Sequence, residues 1–316
     1  MRKILSIDGG GIRGIIPALV LAHIEQRTGT RVSELFDLIA GTSTGGILAL
    51  GLAKPANEHG PLYRASDLAA LYEQYGSAIF NRPRWRTLLP SGNLLDEKYS
   101  VAGLEGVLKQ YFGDTRLGEA TTPVVVTAYE TERRFPFFFR SERAREEISY
   151  NFRMADAARA TSAAPTYFEP LRLDAATPAD YYSLVDGGVF ANNPALCAWV
   201  DARALFPGES EFLLVSLGTG ALTRPIRYEA ARHWGVARWA KPVLDIAFDG
   251  VSSTVDHQLR QLLPHRYHRL QPVLSPEQQD MDNASARNIR GLKLLAEAYI
   301  REREEQIEQL CLELLR

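Results

Sequence analysis

The sequence predicts an α/β fold, read as a single domain over residues 1–316. Two observations carry this reading. The chain opens with two strand–turn–helix units, and short apolar runs then alternate with amphipathic helical stretches to its end. In the first unit Lys3 to Ile7 reads as a buried strand, Asp8-Gly9-Gly10-Gly11-Ile12-Arg13-Gly14 as a turn, and Ile15 to Gln26 as a helix. In the second, Leu38-Ile39-Ala40 runs into Gly41-Thr42-Ser43-Thr44-Gly45-Gly46 and a small, apolar helix follows. If the two strands are parallel neighbours, both turns lie at the carboxyl edge of the sheet, where α/β folds place their sites.

Later elements follow the same logic. Ser66 to Tyr75 is predicted helical, capped by Ser66 and Asp67. The segment 80–90, with Arg82, Arg84, Trp85 and Arg86, reads as a solvated loop; its alternative use is contact with phosphate head groups, Trp85 and Leu88 entering a lipid surface. Glu97 to Phe112 reads as a helix, Pro123 to Ala128 and Pro136 to Phe139 as strands, and Met154 to Ala164 as a tightly packed helix. Tyr181 to Val185 is a strand delivering Asp186-Gly187-Gly188, and Asn193-Pro194 is a good start for a helix running to Phe206. Glu211 to Leu217 is another buried strand. Residues 224–241 read as a helix with a solvated basic face and Trp234 and Trp239 turned inward, continued from Val243 to Leu263; His265 to Leu270 reads as a late edge strand. The C-terminal helix (285–316) is apolar from Leu292 to Leu314, with the stripe weakening at Arg301 to Glu305.

A formal net charge of −2 argues against bulk attraction to nucleic acid or an anionic membrane, leaving only local patches. Cys197 and Cys311 form neither a metal spacing nor a disulfide framework, which suits a reducing compartment. Without a signal-peptide core or a membrane-length apolar run, the expectation is a cytoplasmic protein.

The chemistry is read from three turns. Gly-Thr-Ser-Thr-Gly places Ser43 at a sharp strand-to-helix turn, with Gly41 and Gly45 relieving the crowding and a helix N-terminus beside the hydroxyl. The first turn contains Gly-x-Gly-x-x-Gly (Gly9 to Gly14), the pattern of dinucleotide loops. That use also needs an acid at the end of the next strand, and the next strand ends in Gly41-Thr42-Ser43. Bare amides of the three glycines and the charge of Arg13 instead suit an oxyanion hole. A serine needs a base. His257, His265 or His268 behind Asp186 would complete a triad in α/β-hydrolase order, but none lies in a glycine-rich strand end. Asp186 does, so a Ser43–Asp186 dyad is expected; Asp8, inside the proposed oxyanion loop, is expected to bond loop amides.

Five stretches, DGGGIRG (8–14), GTSTGG (41–46), SAAPTYFEP (162–170), DGGVFANNP (186–194) and LVSLGTG (214–220), resemble in kind and order the patatin-like phospholipase family. The resemblance implies a three-layer α/β/α sandwich with a mainly parallel central sheet. It implies a lipid acyl hydrolase of the phospholipase A type, with Ser43 as nucleophile, Asp186 as base and no metal or other cofactor. The oxyanion donors it implies are the amides of Gly10, Gly11 and Ile12, with Arg13 polarising the site. Gly9, Gly14, Gly41, Gly45, Gly187 and Gly188 are the motif glycines. The protein would meet membrane phospholipid peripherally. Some similar proteins in bacterial antiviral signalling are switched on by a cyclic nucleotide, so such an activator, with the segments 82–86 and 224–241 as its contacts, and a homo-oligomer are further expectations. The rivals are a histidine-dependent esterase and a non-enzymatic nucleotide sensor.

Overall fold

The structure, a computed structural model, describes residues 1–56, 60–80, 99–175 and 180–316, excepting the side chains of 237, 240 and 241. Positions 81–90 of the arginine–tryptophan loop, 97 and 98 of the predicted helix, and His59 lie outside the described residues.

Among the described residues eight strands form one sheet: β1 (Arg2–Ile7), β2 (Leu38–Thr42), β3 (Val124–Glu130), β4 (Phe135–Arg140), β5 (Leu171–Asp174), β6 (Tyr181–Asp186), β7 (Phe212–Leu217) and β8 (Tyr267–Leu270). Hydrogen-bonded neighbours run β5-β6-β3-β2-β1-β7-β8, with β4 also paired to β3. From β3 to β8 the pairing is parallel; β4, β5 and β6 join antiparallel. The principal helices are α1 (Ile15–Thr28), α2 (Thr44–Leu52), α3 (Ala65–Ile79), α4 (Val101–Phe112), α5 (Met154–Thr161), α6 (Ala195–Leu205), α7 (Val236–Leu262), α8 (Ala286–Glu302) and α9 (Glu304–Leu314).

The central strands carry apolar residues on both faces because both faces are covered. Leu5, Ile7, Ile39, Val124, Val126, Leu213 and Val215 pack into the larger core with α1 to α5, α8 and α9. The alternate residues Ile4, Leu38, Ala40, Val125, Phe212 and Leu214 pack on the other face against α6 and Leu259 of α7. This is the three-layer sandwich that the sequence predicts.

Several local expectations are corrected. Ser66 does not cap α3; the Asp67 carboxylate accepts the Arg64 amide at 2.8 Å instead. The helix begins at Ala195, as expected, but Pro194 rather than Asn193 takes the N-cap position; Asn193 accepts from the Ala195 amide at 3.1 Å. The segment 224–241 is not one helix: a turn of helix at Tyr228–Ala231 is followed by α7, which carries Pro242 in its interior. The long C-terminal helix breaks at Arg303, where the apolar stripe weakens, and both parts pack on α1. Strand β5, with its short alternating pattern, was not foreseen.

A buried ion pair fastens the loop after β1 across the sheet. Asp8 is not bonded to loop amides as expected; its carboxylate takes both Arg269 guanidinium arms, at 2.9 and 2.6 Å, and the two side chains are 2% and 6% exposed. Arg269 lies on β8 and also donates to Ser216 on the intervening β7 at 2.8 Å. Removing one partner leaves the other charged and desolvated. Arg269→Ala should therefore lose about 3–5 kcal/mol of stability by urea denaturation, whereas an Asp8→Leu, Arg269→Met double replacement should recover much of it.

Candidate active site

Registry brings the two predicted strand ends together. β2 pairs with β3 as far as Thr42 opposite Thr127, and β6 begins its pairing at Asp186 opposite Ala128. β4 occupies the other edge of β3 along residues 125–130. β2 and β6 therefore share one edge of β3, run in opposite directions, and meet end to end. Thr42 and Thr127 join hydroxyls across the junction at 2.7 Å.

Ser43 leaves β2 with φ 55° and ψ −124°, a conformation costly for a residue with a side chain. It is held by its amide, which donates to the Thr161 hydroxyl at 2.8 Å. The turn closes so tightly that a Cβ on Gly41 would lie 2.1 Å from the Gly45 carbonyl oxygen, and one on Gly45 2.1 Å from that of Ile7. Helix α2 starts at the next residue, so its N-terminal dipole faces the serine.

Asp186 is 2% exposed. One carboxylate oxygen accepts the Gly188 amide at 2.7 Å. Burial pushes its pKa up to about 7, against the hydrogen bonds from the Ser43 hydroxyl and the Gly188 amide, which lower it. A Cβ on Gly187 would lie 2.1 Å from the Thr127 hydroxyl, and one on Gly188 3.1 Å from the Asp186 carboxylate. Both glycines thus allow the carboxylate to sit in the angle between β3 and its own turn.

The glycine-rich loop passes beside Ser43: a Cβ on Gly9 would stand 3.2 Å from the serine Cβ. The Gly9 amide is bonded to the Asn192 carbonyl at 3.0 Å, and the Thr219 hydroxyl donates to the Gly9 carbonyl at 2.7 Å. One of the three expected oxyanion amides, that of Ile12, is already engaged. The Ile12 amide donates to the Met281 carbonyl at 2.8 Å, and that of Arg13 to the Gly10 carbonyl at 3.3 Å. Gly10 and Gly11 retain amides with no acceptor among the described residues. The Arg13 side chain is buried on the far side of the loop, bonded to the Gly10 and Gln279 carbonyls, and lines a polar cavity with Asn192 and Phe248. It tethers the loop rather than pointing at the serine pocket. Gly14 packs against the Thr44 and Tyr72 hydroxyls.

Ser43 opens on a pocket of about 570 Å³, counting its mouth, walled by Ile47, Leu71, Ile79, Phe80, Leu104 and Phe168. Such a lining suits an apolar chain. Among the described residues no histidine lines it. His257 and His265 are exposed, and His268 contacts Glu313 at 3.2 Å on β8, three strands away from β2 in the sheet order.

Residues 5–199 match the family described as patatin-like phospholipase. The chain belongs to the patatin-like phospholipase family. It is similar to patatin-like protein 4 of Arabidopsis thaliana, at 31% identity over 94% of this chain and 82% of the relative. It is also similar to the cGAMP-activated phospholipase of Pseudomonas aeruginosa, at 35% identity over 87% and 79%. The crystal structure of VipD from Legionella pneumophila aligns with 94% of this chain and 67% of that one, at 13% identity and a TM-score of 0.39. The patatin-like match includes both Ser43 and Asp186, whereas Arg269, Gln279 and Met281, which brace the glycine-rich loop, come from beyond it. Local sequence carries no sign of Gln279 or Met281. Arg269 alone had a hint, as a charge in a strand otherwise bounded by Tyr267 and Leu270.

The raised pKa of Asp186 has a consequence for stability. The fold favours its protonated form, so a penalty develops as pH rises from about 4 and is complete above the folded pKa of about 7. Asp186→Asn, which keeps an acceptor for Gly188, should melt higher than the parent at pH 8, by about 2–4 kcal/mol, and the gain should vanish near pH 4.

Proposed function

We propose that the chain cleaves fatty acyl esters of membrane phospholipids, a phospholipase A-type reaction, through a Ser43–Asp186 dyad. The observation that carries the reading is the contact of the Ser43 hydroxyl with a buried carboxylate at the mouth of an apolar pocket. A base whose pKa lies near the working pH combines ionisation with proton affinity, and about 7 suits Asp186 to that role.

The acyl chain lies in the pocket, with its carbonyl over Ser43. Ser43 Oγ attacks the carbonyl carbon while Asp186 takes its proton. The tetrahedral oxyanion accepts from the Gly10 and Gly11 amides, each such donor contributing on the order of 3 kcal/mol to the transition state. Asp186 returns the proton to the departing lysolipid alkoxide as the C–O bond breaks. Water then attacks the acyl-enzyme, giving its proton to Asp186, and Ser43 leaves with that proton as the fatty acid is released. No step calls for a metal.

Ser43→Ala should lower fatty acid release from mixed phospholipids by a factor on the order of 10⁴ or more, with the melting temperature retained; parental turnover by this variant would overturn the proposal. In the parent, kcat/KM should fall as pH drops below about 7, because the protonated carboxyl of Asp186 cannot accept. Single alanine replacements of His257, His265 and His268 should keep activity, which a histidine triad would not allow.

The likeness to the cGAMP-activated phospholipase favours a second layer, activation of this chemistry by a cyclic nucleotide. Added cGAMP should then raise both hydrolysis and melting temperature; a change in neither removes it.

A further inference from the structure

From Ala221 to Val251 no described side chain is buried, although the segment holds Ile226, Tyr228, Trp234, Val236, Trp239, Val243 and Ile246. This is unusual for a stretch that includes the first four turns of α7, because helices in proteins draw most of their stability from a packed apolar face. At 100° per residue the two sides of α7 separate cleanly. Asp245, Phe248, Asp249 and Ser252 form one face and line the polar cavity that also contains Arg13 and Asn192. Val236, Trp239, Val243 and Ile246 form the opposite stripe. Val236 is 90%, Val243 51% and Ile246 46% exposed. Trp239 packs edge-on against Trp234 at 5.2 Å, both half-buried.

The segment that leads into this stripe is basic. Residues 224–238 carry Arg224, Arg227, Arg232 and Arg238, all exposed; Arg224 lies 3.7 Å from Asp280 and Arg232 3.2 Å from Glu229. Aliphatic residues and paired tryptophans on an open stripe, with exposed arginines in the segment that leads into it, are the makeup of a helix that lies in a bilayer interface. A second copy of the chain is a poorer occupant, since a symmetric contact would set these arginines against each other. We infer that the Ile226–Ile246 face docks on an anionic phospholipid surface, with Val236, Val243 and Ile246 entering the acyl boundary and Arg227 and Arg238 meeting lipid phosphates. The opposite face of the same helix walls the cavity beside the glycine-rich loop, so docking holds that loop close to the bilayer. The inference deepens the proposed phospholipase reading, and its binding arm stands without it.

The test is co-sedimentation with phosphatidylcholine vesicles, with and without phosphatidylglycerol. The parent and Ser43→Ala should both bind, more tightly with phosphatidylglycerol and less tightly as salt rises. Val243→Asp, Ile246→Asp should reduce binding about tenfold or more and cut hydrolysis of vesicle lipid in proportion. It should leave hydrolysis of a monomeric short-chain ester, and the melting temperature, unchanged. Arg227→Glu, Arg238→Glu should abolish the preference for phosphatidylglycerol. The inference is overturned if the parent hydrolyses the monomeric ester yet binds neither vesicle. It is equally overturned if the aspartate variant binds like the parent, or if that variant changes only the oligomeric state. Loss of ester hydrolysis in the parent would instead strike the proposed chemistry and leave vesicle binding to be judged by itself.

Discussion

The structure depends on one edge of one strand being shared. β3 offers its backbone to β2 as far as Thr127 and to β6 from Ala128 onward, and the two partners run toward each other. Each stops where the other begins, so both must turn out of the sheet at the same place. A strand that ends inside a sheet leaves its next residues beside backbone groups that need partners. Here these needs are met by short side chains: Thr42 reaches Thr127 and the Ala191 carbonyl, and Thr161 takes the Ser43 amide. Ser43 and Asp186 are the residues at the two turns.

That junction leaves little room, and this explains the glycine content. The turn at Ser43 presses Gly41 onto Gly45, and Gly45 onto the end of β1. Gly187 sits against Thr127. The same tightness keeps water from Asp186, and exclusion of water raises its pKa. Close packing and the electrostatics needed by a carboxylate base thus have one cause, and the stability lost to a buried charge is the counterpart of the proposed chemistry.

The family match ends at residue 199, yet the site is not self-sufficient within it. Arg269 anchors Asp8, Gln279 accepts from Arg13, and the Met281 carbonyl holds the Ile12 amide. The C-terminal third therefore sets which loop amides stay free. It also supplies α7, one face of which lines the polar cavity on the Arg13 side of the glycine-rich loop while the other faces outward.

Much of the frame was legible in the chain itself. Apolar strands and glycine turns are local signals, so β1, β2, β3, β6 and β7, the helices between them, and the Ser43 and Asp186 turns could be read directly. The break at Arg303 was visible as a weakening stripe. What could not be read were matters of distance along the chain. The sequence placed Asp186 at a strand end but not the direction of that strand, and it is the antiparallel entry of β6 that brings the carboxylate to the serine. It offered Gly10, Gly11 and Ile12 as equal donors, and only the arrival of Met281 from the far end of the chain engages one of them. It assigned Asp8 to its own loop, whereas Arg269, two strands over, holds it. Local chemistry fixes what each turn can do; which groups meet, and which are already taken, is decided by pairings between residues that only the folded sheet makes neighbours.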